Sequence, residues 1–218
     1  MAASPQSAAL RSGIRSSWCT MFAVTRLLPP VLYAPDLPLP ELSAARLDGE
    51  VYPIDECFAP IDQANTPQAR AHALWSIVGD RAIAEGESAL WIYGQLSDPP
   101  QRHTLCVPRT NRVVVRRTGR MLVRETRMAA GDVQLIDTMP VTSPTRTAFD
   151  LVMGPQFGSG ERAALVWLIG RLGVDVAACR SRIETTMHLP GRRAALERLD
   201  SVADHPVPNQ PALTRYTS

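Results

Sequence analysis

The sequence contains no lysine, and arginine supplies all 23 of its basic residues. A Schiff-base enzyme and a nucleotide-binding P-loop both depend on a lysine, so both are excluded. Cysteine is also scarce. The four cysteines are widely separated and form no C-x-x-C pair, which favours reduced, buried thiols in a cytoplasmic protein over a disulfide framework: they are Cys19, Cys57, Cys106 and Cys179.

Long apolar runs are absent as well. The longest, Ala163 to Ile169, is far shorter than the roughly 20 residues that cross a bilayer. Arg26 interrupts the apolar residues that follow Trp18, so the start does not read as a secretion signal. The apolar content is 45%, the charged content is 20% and the mean hydropathy is −0.07, which is typical of a globular protein. We therefore predict no membrane contact.

Motifs that carry chemistry are missing too. Gly86-x-Ser88 lacks the second glycine of a nucleophile elbow, and the glycines from 154 to 160 lack the Lys-Ser/Thr of a phosphate cradle. Asp132, Asp137 and Asp150 are either a metal site or ordinary turn residues, and turn chemistry is the simpler interpretation. No histidine belongs to a zinc-like pattern: the four are His72, His103, His188 and His205. We predict no enzyme, no catalytic residue, no metal and no cofactor.

The formal net charge of +2 hides a strong asymmetry along the chain. Acidic residues dominate between positions 36 and 62, where Arg46 is the only arginine: Asp36, Glu41, Asp48, Glu50, Asp55, Glu56 and Asp62. Arginines dominate between positions 109 and 127, where Glu125 is the only acid: Arg109, Arg112, Arg116, Arg117, Arg120, Arg124 and Arg127.

The acidic region has the pattern of a degenerate winged helix. Pro40 to Gly49 predicts a short helix, and two brief strands follow, turning at Asp55-Glu56. A wing that contacts DNA needs cations to meet phosphates, whereas this one is acidic. The alternatives are that it caps the next domain or faces an arginine-rich partner.

The arginine-rich region predicts a small, mostly antiparallel sheet. The expected strands are 103–108, 112–117, 121–127 and 133–138, with a turn at Thr118-Gly119-Arg120. An amphipathic helix, 68–84, and a buried element, 88–94, precede the sheet. The arginines are either a solvated sheet face or a surface for nucleic-acid phosphates or an acidic protein. We include Arg46 with them as candidate DNA- or partner-binding residues.

A strand-to-helix junction follows, at Pro140 to Val152. Thr142 or Ser143 can cap a helix, and Pro144 suits its first position. This V-T-S-P-x-R-T-x-x-D-L segment resembles bacterial AbiEi-type antitoxins, the DNA-binding half of abortive-infection (type IV) toxin–antitoxin pairs. Six residues carry the resemblance, in a structural role: Thr142, Ser143, Pro144, Arg146, Thr147 and Asp150.

The resemblance extends over about 40–202 and implies a non-enzymatic, cytoplasmic bacterial transcriptional regulator. Antitoxins of this type bind the promoter DNA of their own operon through a winged helix and counteract a nucleotidyltransferase-like toxin. The alternative is a non-catalytic protein-interaction module that uses the arginine-rich sheet and has lost DNA binding. A third alternative is a truncated, drifting gene product. Neither the operator nor the oligomeric state follows from the resemblance.

The fold class that we predict is α+β, with a helical C-terminal part. The predicted divisions are residues 1–20 disordered or preceding a true start at Met21, 21–62 winged-helix-like, 63–152 an AbiEi-like α+β domain, 153–203 a helical extension, and 204–218 a disordered tail. Longer proteins that resemble this one continue into a nuclease-like domain, and the resemblance implies that this domain is missing here. The predicted helices of the C-terminal part are 149–153, 159–172, 174–187 and 191–202.

Overall fold

A computed structural model describes residues 29–109 and 119–203 of the chain. These residues contain seven α-helices, a two-stranded antiparallel sheet and a five-stranded mixed sheet, which confirms the α+β class. The predicted strand 112–117, the first 28 residues and the tail from residue 204 lie outside the described residues.

The acidic region folds as one helix followed by a hairpin. Helix α1 (Leu39–Leu47) leads to β1 (Val51–Ile54) and β2 (Cys57–Pro60), which pair antiparallel as the sequence predicted. Asp55 turns the hairpin with a φ of +56°, in the left-handed region that aspartate tolerates better than most residues. The inner side of the hairpin joins the main hydrophobic core through Ile54 and Cys57, so this region packs against the rest of the protein.

Helix α2 (Pro67–Val78) is shorter than the predicted 68–84 helix. Thr66 caps its start by accepting a hydrogen bond from the Ala69 N–H at 3.2 Å. Gly79 ends it with a φ of +73°, and a 3-10 turn (Gly79–Arg81) leads into strand β3 (Ile83–Ala84). The predicted buried element is helix α3 (Gly86–Tyr93).

The main sheet also contains β4 (His103–Pro108), β5 (Met121–Thr126), β6 (Val133–Ile136) and β7 (Met139–Thr142), in the order β5-β4-β3-β7-β6. Two of its pairings, β3–β4 and β6–β7, are antiparallel, whereas β3–β7 and β4–β5 are parallel. The main sheet is thus mixed, where the sequence predicted a mostly antiparallel one. Side-chain alternation is the same in both strand directions, so it does not distinguish a parallel pair from an antiparallel one.

Four helices complete the structure after the sheet: α4 (Pro144–Met153), α5 (Ser159–Leu172), α6 (Val176–Thr185) and α7 (Arg192–Ala203). All four predicted C-terminal helices are present, and α4 begins at Pro144, the first helical position that the junction pattern predicted, so it is longer than the predicted range 149–153. Their buried side chains, including Leu165, Leu168, Ile183 and Leu199, join those of the sheet in one core. Within residues 29–109 and 119–203, none of the helices has the length and apolar character that a membrane span requires.

Candidate functional site

The strand-to-helix junction is built by its own short-range hydrogen bonds. Ser143 is the N-cap of α4, because its hydroxyl accepts the Arg146 N–H at 3.3 Å, and Pro144 occupies the first turn. The hydroxyls of Thr142 and Thr147, both fully buried, lie 2.8 Å apart and satisfy each other. These contacts set the angle at which α4 leaves β7.

Arg146 lies at the centre of the junction and is only 5% exposed. Its Nε donates to Asp150 at 2.9 Å, one turn further along α4, and its Nη1 donates to Asp132 at 2.6 Å. The same Nη1 donates to the Arg127 carbonyl at 3.0 Å, and Nη2 lies 3.4 Å from the Thr126 hydroxyl. The guanidinium therefore ties α4 to the end of β5 and to the loop before β6.

Asp132 is the second centre of this network. It accepts from both Nη atoms of Arg182, at 2.5 and 2.8 Å, and from the Ala129 N–H at 2.9 Å. The Arg182 guanidinium also lies 4.6 Å from the Phe149 ring centroid, which holds it in one orientation. Arg182 comes from α6, so a helix outside the predicted arginine-rich region contributes to this network.

Arg146, Asp132, Asp150 and Arg182 form one group of ion pairs, the junction cluster. Its two carboxylates have pKa shifts of opposite sign. Burial alone would raise the pKa of Asp132, but its bonds from Arg182, Ala129 and Arg146 outweigh burial and lower the pKa to about 2. Burial raises the pKa of Asp150 above its ordinary value, and the nearby guanidiniums of Arg146 and Arg124 only partly oppose it. Asp132 is thus firmly ionised at neutral pH, as a structural anion should be.

Arg124, one of the candidate binding residues, is anchored by an ion pair, although its side chain is 55% exposed. Its Nη2 donates to the buried Glu85 at 2.8 Å, and Asp150 lies 3.8 Å away. The hydrogen bond that Arg124 donates to Glu85 raises the pKa of the guanidinium. The guanidinium links the edge strand β5 to the start of α3.

Arg120 joins the sheet to the acidic hairpin. It donates to Asp55 at 2.8 Å and to Glu56 at 2.7 Å. His103 approaches the other oxygen of Asp55 at 3.0 Å. Burial would raise the pKa of Asp55, but His103 and Arg120 together lower it below its ordinary value. The hairpin turn is therefore an internal ion-pair partner of the main sheet.

Sequence reasoning missed that Ser88, His103 and Asp55 form a chain of hydrogen bonds. The Ser88 hydroxyl lies 3.1 Å from His103 Nδ1, and it also accepts from the Thr104 N–H at 2.9 Å. The order of groups is that of a hydrolase triad, but Ser88 is fully buried and His103 is 1% exposed. A substrate has no access to this hydroxyl, so we assign the chain a structural role. Its members are 15 and 48 residues apart, and no local pattern reveals them.

The remaining candidate arginines of the described residues are Arg46, Arg109 and Arg127, and all three are exposed. Arg109 and Arg127 line one surface pocket of about 380 Å³, together with Arg146, Arg182 and the acid Glu125. No carboxylate in residues 29–109 and 119–203 lies within ion-pair distance of Arg109 or Arg127. Arg46 lies apart, in the last turn of α1. Arg112, Arg116 and Arg117 fall outside the described residues.

A metal centre does not form where the sequence left one open. Asp132 and Asp150 bind arginines, and Asp137 lies 2.9 Å from His72 Nδ1. Across the described part of the chain, no three His, Cys, Asp or Glu residues are grouped as metal ligands would be. The described cysteines, Cys57, Cys106 and Cys179, are free and buried, as expected, and burial raises the pKa of Cys57 and Cys179 to about 11.

The fold and these contacts define a mixed α+β protein whose sheet and helices are joined by arginine–carboxylate networks. Residues 82–200 match the family described as the AbiEi antitoxin C-terminal domain. The match covers more than half of the chain, so this protein belongs to the AbiEi antitoxin family. It begins just before β3, includes the whole junction, and leaves the acidic helix and hairpin outside.

The other comparisons add little. None of the curated proteins matches the chain significantly. The structure is similar to the crystal structure of the RV2827C protein from Mycobacterium tuberculosis, with 16% sequence identity and a TM-score of 0.44. That similarity covers 80% of this chain and 72% of the other.

Proposed function

We propose that this protein is an antitoxin that counteracts a nucleotidyltransferase-like toxin by binding it through the arginine surface of the family domain. This arginine surface is the exposed face around Arg109 and Arg127, at the ends of β4 and β5. The family match supports the antitoxin role. The observation that carries the site is that Arg109 and Arg127 lie together, exposed and without a carboxylate partner among the described residues, whereas Arg120 and Arg124 form ion pairs with acidic side chains of the protein.

Arginine suits such a surface because its planar fork grips a carboxylate through two parallel hydrogen bonds. An acidic patch on the toxin is the expected complement. A protein that works in this way needs no reacting side chain, which agrees with the burial of the Ser88–His103–Asp55 chain.

Growth rescue tests the proposal. The toxin gene is the nucleotidyltransferase-like reading frame expected beside this one, and it is expressed with and without the full-length protein. The wild type should restore growth and co-purify with the toxin. The charge-reversed variant R109E/R127E should lose both effects, whereas R171E, which reverses one exposed charge on α5, should keep them. Full rescue by R109E/R127E would refute the assigned surface.

DNA binding is the second candidate function, favoured by the helix–hairpin order of residues 39–60. Its charge argues against contact through the hairpin turn, because Asp55 and Glu56 are acidic and already bind Arg120. We infer that any DNA contact uses arginines instead, with Arg46 on α1 as the candidate within residues 39–60. Mobility-shift titration against the upstream DNA of the gene tests this. A shift at low salt that R46Q weakens supports it, and unretarded DNA refutes it, leaving the protein-interaction function alone.

A further inference from the structure

The parallel pairing of β4 and β5 places two arginines side by side. Pro108 and Thr126, the last residues of the two strands, are partners in the register. The next residues, Arg109 and Arg127, therefore leave the sheet at the same edge, and the Arg109 N–H donates to the Thr126 carbonyl at 3.1 Å. The carboxyl ends of parallel strands are where open sheets commonly bind ligands.

A third arginine reaches the same pocket from the helical side. Arg182 is fixed by Asp132 and by the Phe149 ring, and its side chain is 29% exposed. A guanidinium has five N–H groups, and the bonds to Asp132 use two of them. Arg182 is therefore a preorganised donor that needs no rearrangement to bind an anion.

The pocket keeps a net positive charge, which favours an anion. Its lining contains four arginines and one acid, Glu125. Asp132 and Asp150, behind the lining, offset Arg146 and Arg182. The positive charges of Arg109 and Arg127 are left opposite Glu125 alone. Leu189 and Phe149 add an apolar wall.

We propose that this pocket binds a phosphate monoester, with a nucleoside monophosphate as the ligand class that fits it. The phosphate lies between Arg109, Arg127 and Arg182, and the nucleoside lies along Leu189. The volume of about 380 Å³ is within the range of small-molecule pockets. A phosphate monoester offers three terminal oxygens to the guanidiniums of Arg109, Arg127 and Arg182, whereas a single carboxylate offers two.

Calorimetric titration of the full-length protein tests this proposal without any toxin, so its failure is separate from a failure of toxin neutralisation. The probes are adenosine 5′-monophosphate, inorganic phosphate and adenosine. We expect saturable binding of the monophosphate and none of adenosine. The variant R109Q/R127Q should bind the monophosphate at least about tenfold more weakly than the wild type, because two charge-assisted hydrogen-bonding groups are lost. The control R171Q should bind as the wild type does.

Each other outcome has a meaning. Equal affinity for inorganic phosphate and the monophosphate, lost in R109Q/R127Q, supports the phosphate site and assigns the free anion to it. A Kd weaker than about 1 mM for both phosphates overturns the proposal. A loss of monophosphate affinity in R171Q equal to that in R109Q/R127Q also overturns the proposal. Tighter binding of a poly-glutamate peptide than of the monophosphate overturns it in favour of a protein partner. Circular dichroism verifies that the variants are folded.

Discussion

Two ionic clusters hold the sheet of this protein in place, and they are built in opposite ways. In the junction cluster, the buried Arg146 is the centre, and Asp132 and Asp150 surround it. In the hairpin cluster, the buried carboxylate of Asp55 is the centre, and Arg120, which is 38% exposed, approaches from the solvent side. A buried charge is costly without its partner, so the clusters should differ in what a single substitution does to them.

The largest effect is expected from Arg146→Met. This change leaves Asp132 with Arg182 as its one cationic partner and Asp150 with only Arg124, at 3.8 Å. Both carboxylates lie inside the protein. Breaking a buried pair from one side costs about 3 to 5 kcal/mol of unfolding free energy. Urea denaturation followed by circular dichroism measures the loss. A loss below about 1 kcal/mol, similar to that of a surface substitution such as Arg171→Met, would contradict the central role of Arg146.

Acid should weaken the junction cluster through Asp132. The pKa of Asp132 is lowered to about 2 in the folded protein, against about 3.9 when unfolded. Its contribution is therefore fully present above about pH 4 and is lost as the pH falls from 4 towards 2, by roughly 2 to 3 kcal/mol in all. Chemical denaturation at pH 5, 4 and 3 measures this slope. The variant Asp132→Asn should be less stable at pH 5, and its unfolding free energy should fall less steeply than that of the wild type below pH 5. A slope equal to that of the wild type would contradict the assignment.

A smaller loss is expected from Asp55→Asn in the hairpin cluster. Asparagine has the size of Asp55 and keeps one of its side-chain oxygens, and the half-exposed Arg120 guanidinium can form hydrogen bonds with water instead. His103 stays buried with a weaker partner, so we expect a loss of about 1 to 2 kcal/mol. Hydrogen exchange should increase first in the hairpin, residues 51–60, and leave α4 protected. Equal loss of protection in both regions would show that the two clusters unfold together.

The sequence anticipates the local half of these clusters and misses the distant half. The Ser143 cap and the Arg146–Asp150 pair are three and four residues apart, so helical spacing makes them readable. Arg182 and Asp132 are 50 residues apart, and Arg120 and Asp55 are 65 apart. Those pairs depend on how helix α6 packs on the loop before β6 and how the hairpin packs on the main sheet, and no local spacing in the sequence shows either arrangement. Counting arginines therefore identified a charged region without separating the arginines that form ion pairs from those with no carboxylate partner in the described residues.

Substitution of Arg109 or Arg127, the two exposed arginines of the arginine surface, should have the smallest effect on stability. These residues contrast most sharply with both clusters. Arg127 has an exposed side chain, and its backbone carbonyl, which a substitution keeps, already serves Arg146. Arg127→Gln should therefore change the unfolding free energy by less than about 0.5 kcal/mol in the same urea titration. A loss comparable to that of Asp55→Asn would mean that Arg127 is another structural cation. Near-neutral stability, by contrast, would show that its charge is not needed for folding and is available to a ligand or partner.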